Sequence, residues 1–192
     1  MPPIGTVDTD TAGRILDAAE RLFYQRGIQA VGIDAVVAEA GVATKTLYSY
    51  FGSKDGLVTA YLRRRDRRWM DWLREAAAAA PPGPDRVAAV FDALGTWFAD
   101  PAFNGCAFIN VAGELAASPT ARDVAREHKV ALRGFLREVA VGCGGGDPES
   151  LADWLMLLVE GAIVTAHVEG DSQAALRARA AAAALLQRDL SR

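Results

Sequence analysis

Two groups of residues in this chain carry side chains suited to chemistry. The first is the stretch GVATKTLYSYFGSKDGL, residues 41–57, which gathers Thr44, Lys45, Thr46, Tyr48, Ser49, Tyr50 and Lys54. Most are hydrogen-bond donors, and few suit a core. A Lys can bond guanine O6 or N7, and a Thr brings both a hydroxyl and a methyl to base edges. Lys54 follows Ser53 at the start of a helix, where backbone N–H groups and a cation can together hold a phosphate. The second group is Cys106, Glu114 and His128, polar residues set among apolar neighbours. As nucleophile, orienter and base they would define a small enzyme. No oxyanion or metal motif accompanies them, and their spacing does not require a triad. Cys106, Asn110 and Glu114 recur every four residues and so share one helix face. His128 lies on the apolar line Val124, Leu132, Phe135 and Val139, where it can be a satisfied core residue or a ligand contact.

The elements that position these groups are all helical. Apolar residues recur at helical spacing almost throughout, Ala is abundant, and no segment reads as a strand. The pattern predicts an all-α fold of about nine helices, at about 11–26, 33–40, 43–51, 53–79, 84–98, 105–117, 119–140, 148–169 and 172–190. Gly27, Gly41 and Gly52 end the first three, and Pro81, Pro82 and Pro84 stop the fourth. VGCGGGDPES is a linker in which Asp147 caps the next helix and Pro148 takes its first position. Its glycines lack the preceding strand and the Lys-Ser/Thr pair of a phosphate loop.

Composition narrows the class. With 192 residues, 51% of them hydrophobic and 23% charged, the chain can bury a proper core. Its opening, MPPIGTVDTDT, shows no cationic region followed by an apolar run, so no secretory signal is expected there. No uninterrupted apolar stretch approaches the ~18–20 residues of a membrane span. Cys106 and Cys143 make neither a metal-ligand pattern nor a disulfide framework, so neither metal nor cofactor is expected. A reducing cytoplasm fits best. Net charge is −3, but residues 1–70 balance at +2 and residues 71–192 at −5. That asymmetry is compatible with a polyanion partner for the N-terminal part.

Residues 33–40, Gly41-Val42 and residues 43–51 read as helix, tight turn and second helix. In a helix-turn-helix the second helix enters the major groove. Val42, Leu47 and Phe51 can anchor its inner side while Thr44, Lys45, Tyr48 and Ser49 project outward. The framework around it is Arg14-Ile15-Leu16, Ala18-Ala19, Leu22-Phe23, Gly27, Ala40-Gly41-Val42, Thr46-Leu47-Tyr48, Phe51, Ser53-Lys54 and Leu57. In order and spacing these residues resemble the TetR family of transcriptional regulators over about the first sixty residues. The resemblance implies that Tyr48 and Lys54 contact phosphates, that Thr44, Lys45 and Ser49 face bases, and that Thr46 and Tyr50 contact the backbone. Three positions depart from the family pattern. Gly32 stands where Ser or Thr usually opens the second helix, Ala43 where Ser often caps the recognition helix, and Tyr50 where His is common. The expected division is a DNA-binding domain over 1–53 and an effector-binding and dimerisation domain over 54–192.

In the second part Arg63-Arg64-Arg65-Asp66-Arg67-Arg68 begins roughly 15 Å along the helix from Lys54, at ~1.5 Å per residue. A solvated face, or ion pairs between domains, is the expected use rather than a DNA clamp. Arg122, Arg126, Lys129, Arg133 and Arg137 form one basic stripe expected to face solvent. Aromatic residues crowd this half, and the resemblance implies an effector cavity there. Its expected lining is Trp72, Phe91, Trp97, Phe108, Asn110, Glu114, His128 and Trp154, suiting a small, largely apolar or aromatic molecule. Residues 151–168 are apolar almost all round, with Asp153, Glu160 and His167 on one narrow stripe. Such a helix is buried on more than one side. With the Ala-rich last helix it predicts a homodimer interface through Leu151, Leu155, Leu158, Ala162, Ala166, Leu176, Ala180 and Leu186. The reading is a dimeric repressor of a pseudo-palindromic operator, released by a small molecule. Control by a protein partner, or by no effector at all, stays open.

Overall fold

Asp10 starts the first helix, its carboxylate accepting the Gly13 N–H at 2.6 Å, and Gly27 at φ +84° ends it. A computed structural model describes residues 10–114 and 118–190 of the chain. Among the described residues there are nine helices and no strand. They are α1 (Thr11–Arg26), α2 (Ile33–Ala40), α3 (Thr44–Phe51), α4 (Lys54–Ala78), α5 (Pro84–Phe98), α6 (Ala107–Glu114), α7 (Pro119–Val141), α8 (Pro148–Glu169) and α9 (Ala174–Leu190). The helix expected over 105–117 starts later because Gly105 takes φ +73°. The last three of its expected positions, 115–117, lie outside the described residues. Pro84 and Pro148 occupy first-turn positions, and Asp147 accepts the Ser150 N–H at 3.0 Å as the expected cap.

The helices divide into two compact units. The first holds α1, α2, α3, α4 as far as Arg68, α6, and α7 as far as His128. This compact unit extends past residue 53 into α4. Leu57, Val58, Tyr61 and Leu62 of α4 are buried, and the same stretch of α4 forms ion pairs with α1. Arg64 reaches Asp17 at 2.9 Å and Glu20 at 3.1 Å. Arg65 and Arg68 reach Glu20 at 3.1 and 2.9 Å, and the Arg65 guanidinium also lies 3.7 Å over the Tyr24 ring. Three members of the arginine run thus form ion pairs, as expected, and tie α1 to α4 within one compact unit.

Tyr61 packs edge-on against Phe23 with ring centroids 5.8 Å apart. Burial disfavours its phenolate and pushes its pKa well above the ordinary range, partly offset by Arg65. The folded state therefore holds this proton more tightly than the unfolded state. The stability linked to it is fully present below about pH 10, the ordinary tyrosine value, and is lost as pH rises further. We expect denaturant midpoints to fall from about pH 10 upward. Tyrosinate absorbance should stay short of four residues until the chain unfolds.

The second unit holds α4 from Trp69, α5, α7 from Lys129, α8 and α9. Leu132, Leu136 and Val139 of α7 and Leu151, Leu155 and Val159 of α8 are all buried in it. The basic stripe of α7 faces solvent as expected, with Lys129 half-buried and the other four exposed, and along it Lys129 pairs with Glu160 at 2.7 Å, Arg133 with Asp153 at 3.0 Å, and Arg137 with Glu149. This ladder also accounts for two of the three residues on the narrow polar stripe of α8, Asp153 and Glu160. The third, His167, packs against Gly105, where an added Cβ would lie 2.8 Å from the imidazole. By length and composition α8 could cross a membrane, its most apolar window averaging 1.5 in hydropathy. In the fold, 44% of that window is buried within the chain.

Candidate nucleic-acid interface

Position on the surface of α3 follows from a single anchor. Leu47 is fully buried, while Val42 and Phe51, the other two expected anchors, are half-buried. Gly41, at φ +64° and ψ +42°, ends α2 in the left-handed conformation that only glycine adopts without strain, and Val42 N–H returns to the Val37 carbonyl at 3.1 Å. The turn is therefore tight, and α3 leaves it with Thr44, Lys45, Tyr48, Ser49 and Tyr50 exposed and Thr46 half-buried. Tyr50 is 55% exposed, a large ring presented to solvent rather than to a core. The Ser49 hydroxyl donates to the Thr46 carbonyl at 2.7 Å, which orients its oxygen but leaves lone pairs able to accept. Ala43 and Gly32 supply no side-chain caps, so the first N–H groups of α3 and α2 meet none.

Lys54 opens α4 two residues after Gly52, which takes φ +72°. Ser53 Oγ accepts the Gly56 N–H at 2.9 Å and so caps this helix as its position predicts. Gly56 itself escaped the sequence reading. A Cβ there would stand 2.1 Å from the Phe51 carbonyl oxygen, so only glycine lets α4 start this close to the end of α3. The signal was an isolated glycine in the first turn of a helical pattern. Across the same unit, Arg21 pairs with Glu39 at 2.9 Å and ties α1 to α2.

The residues expected to line one cavity are divided between the two units. Phe108, Asn110, Glu114 and His128 belong to the first unit, and Trp72, Phe91, Trp97 and Trp154 to the second. His128 is the satisfied core residue: Nδ1 lies 2.7 Å from Asp66 Oδ1, and the ring stacks on Phe108 at 3.8 Å. Glu114 is engaged by backbone, accepting the Ile28 and Gln29 N–H groups at 2.6 and 3.1 Å. With His128 committed to Asp66 and Glu114 to those amides, the imagined Cys106/His128/Glu114 triad is not assembled. Among the described residues no His, Cys, Asp and Glu side chains form a metal-binding group. Trp154 is exposed on α8. Trp72 and Trp97 do meet, at 6.3 Å between centroids, in a cluster with Trp69, Phe98 and Phe103. The Trp97 indole N–H is buried there without a hydrogen-bond acceptor.

The expected dimer residues also divide. Leu151, Leu155, Ala162, Ala166 and Leu186 are buried in the chain's own core, and Leu158 is half-buried. Leu176 and Ala180 are exposed as expected. The apolar residues that α8 turns outward are instead Trp154, Leu157, Val164 and Val168, with Gly161 between them. Their spacing of three, four, three and four makes one continuous stripe. Periodicity predicted two buried sides for α8 without saying which faced inward.

A short helix, a left-handed glycine turn and a second helix with an exposed donor-rich face define a helix-turn-helix protein. The family description "Bacterial regulatory proteins, tetR family" matches residues 15–61, and "Tetracyclin repressor-like, C-terminal domain" matches residues 83–182. The chain belongs to the TetR family of helix-turn-helix transcriptional regulators, and it is a regulator rather than an enzyme. It is 51% identical over 57 residues to an HTH-type transcriptional regulator of Mycobacterium tuberculosis, a match covering 30% of this chain and 28% of that protein. It is 33% identical over 82 residues to the HTH-type transcriptional activator FasR of Mycolicibacterium smegmatis, covering 43% and 37%. The chain thus spans well under half the length of these curated relatives. The TetR-family regulator SCO4454 from Streptomyces coelicolor is similar over nearly the whole fold, with a TM-score of 0.84, 31% identity, and 95% and 96% of the two chains covered.

Proposed function

We propose that this chain is a repressor that binds a pseudo-palindromic operator as a two-fold homodimer in the cytoplasm and is released by a small-molecule effector. The observation that carries the DNA reading is the exposed face of α3, formed by Thr44, Lys45, Tyr48, Ser49 and Tyr50, with Lys54 following at the start of α4. We assign Thr44, Lys45 and Ser49 to bases and Thr46, Tyr48, Tyr50 and Lys54 to the DNA backbone. The fully buried Leu47 beneath that face holds it rigid. One recognition helix per half-site then requires a second copy of the chain, with half-sites about one helical turn (roughly 34–36 Å) or a multiple apart.

Lys45→Ala should relax preference at one base position at a cost of about 1–3 kcal/mol. Lys54→Ala should instead weaken binding to all duplexes and reduce the salt slope by about 1. Selection from random duplexes followed by titration at several salt concentrations measures both. Absence of any enriched symmetric site would end the proposal.

The dimer surface is the outward stripe of α8 together with Leu176, Ala180 and Ala183 of α9. That face of α9 continues into a groove of about 390 Å³ against α5, lined in part by Val87 and Ala88. Exposed Leu157 at 71% and Val168 at 75% are difficult to account for on a monomer surface.

For the effector, the support is the tryptophan cluster of the second unit. Its rings and the buried Trp97 N–H, which has no hydrogen-bond acceptor among the described residues, suit an apolar or aromatic molecule carrying a hydrogen-bond acceptor. Release requires that this molecule prefer the non-binding arrangement, with a coupling of about 1–3 kcal/mol. A thermal-shift screen followed by operator titration with each hit tests this. Hits that stabilise the protein yet leave operator affinity unchanged would remove the sensor from the proposal. A reporter gene behind the selected site decides between repression and activation, since FasR bears the name of an activator.

A further inference from the structure

The sequence reading assigned Glu114 to an effector cavity, and the structure gives its carboxylate another partner. Oε2 accepts two successive backbone amides, Ile28 N–H at 2.6 Å and Gln29 N–H at 3.1 Å. The Gln29 side-chain amide donates in turn to the Glu114 carbonyl. These amides converge because Gly27 takes φ +84°, which turns the chain into a shallow nest of N–H groups, a usual cradle for an anion. The fit is close, since a Cβ on Gly27 would lie 3.0 Å from Oε2. The nest is therefore occupied by the protein's own anion, brought from the end of α6. A second tie from the start of α7 reaches the same unit, where the Ser118 hydroxyl donates to Asp55 Oδ1 at 2.6 Å, one residue after Lys54.

The place of the nest matters for recognition. Gln29 is three residues ahead of Gly32, which opens α2 with no side-chain cap. A Ser or Thr there would orient the first turn of α2 through its own hydroxyl. With Gly32 in that position, the approach to α2 is held from the side, by Glu114. We propose that Glu114 is a positioning residue for DNA binding: its carboxylate in the Gly27–Gln29 nest sets the start of α2, and through the rigid α2–α3 turn the seating of the recognition helix on the phosphates. This rests on the proposed operator binding, and the experiment separates the two.

The test uses the intact chain and a duplex enriched from random sequence by the unsubstituted protein. E114A is compared with E114Q, which keeps an acceptor without the charge, and with E114D, which keeps the charge on a shorter arm. G27A displaces the carboxylate from the opposite side. Amide exchange at Ile28 and Gln29, followed by NMR, reports the contact itself. E114A should speed exchange at both amides, weaken the duplex about tenfold and lower the salt slope by about 1. Its melting should remain well above the assay temperature. E114Q should recover most of the affinity, and G27A and E114D should resemble E114A, which keeps the comparison available if E114A does not fold. A merely structural role would lower melting and leave affinity and salt slope in place. The proposal is overturned if exchange accelerates while affinity stays within about twofold. It is equally overturned if exchange does not change, or if E114A and E114Q alike tighten binding, since the carboxylate would then act only by repelling phosphates. Failure to enrich any duplex counts against the operator reading. In that case the same variants are compared on a mixed-sequence duplex, where the salt slope still reports whether α2 is seated.

Discussion

Glu20→Ala is expected to destabilise the unit that carries the helix-turn-helix by about 3–5 kcal/mol. Glu20 sits 8% exposed between Arg64, Arg65 and Arg68 of α4, at 3.1, 3.1 and 2.9 Å. Removing it takes a shared carboxylate from three guanidinium groups at once, in a place where water reaches Arg64 and Arg65 poorly. Arg65 has the least room to adapt, because its second terminal nitrogen is already buried without a hydrogen-bond partner. An uncompensated buried charge is what makes breaking such a cluster costly, whatever the intact cluster contributes relative to an apolar one. Glu39→Ala is the contrasting case. Its pair with Arg21 has both side chains more than 40% exposed, so the loss should not exceed about 1 kcal/mol. Urea unfolding with a constant m-value measures both variants. A Glu20→Ala midpoint as close to the wild type as that of Glu39→Ala would show that the arginines find other partners.

Leu157→Glu combined with Val164→Glu is expected to yield a folded monomer whose operator affinity is lower by about a hundredfold or more. Both residues are already exposed on the single chain, so the exchange should alter chain stability by no more than about 0.5 kcal/mol for each residue. In the proposed dimer the same positions face a twin, and carboxylates there would be desolvated opposite copies of themselves. With the two copies separated, each half-site is bound alone and the effective concentration of the second recognition helix is lost. Leu155→Glu separates the two faces of α8. Leu155 is buried in the chain's own core, so that substitution should unfold the second unit instead of dissociating a dimer. Sedimentation at micromolar concentration, followed by operator titration, reads the result. A double variant that still sediments as a dimer would place the interface elsewhere.

What could be read from residue types, and what could not, differs by the physical range of each determinant. Helix ends were legible because capping and termination act over four residues: Gly27, Gly41, Gly52, the Pro81–Pro84 run and Asp147-Pro148 mark them in one dimension. The outward face of α3 was legible for a similar reason. A short helix with one strong apolar anchor, Leu47, must turn its Lys, Thr and Tyr side chains away from that anchor. Register on α8 was not legible. Its sequence is apolar nearly all round, so periodicity carries no preference, and only packing within the fold, where α8 meets α9 and α5, made Leu151, Leu155 and Val159 core and left Leu157 and Val168 outside.

The polar residues of the second half followed the same rule. Glu114, His128 and the arginines after Arg63 could each be a ligand contact, a solvated group or an ion-pair partner, and residue type alone does not choose. Their partners lie far away along the chain: Asp66 is 62 residues from His128, and Ile28 is 86 residues from Glu114. Sequence by itself determined an all-helical chain with a helix-turn-helix near its start, because those properties follow from local spacing, caps and a polar helix face, while its reading as a regulator rested on the resemblance those residues carry. Only the tertiary structure decided which charges neutralise one another and which apolar face of α8 is left uncovered. Burial and pairing are properties of surfaces brought together by the fold, and a one-dimensional pattern does not contain them.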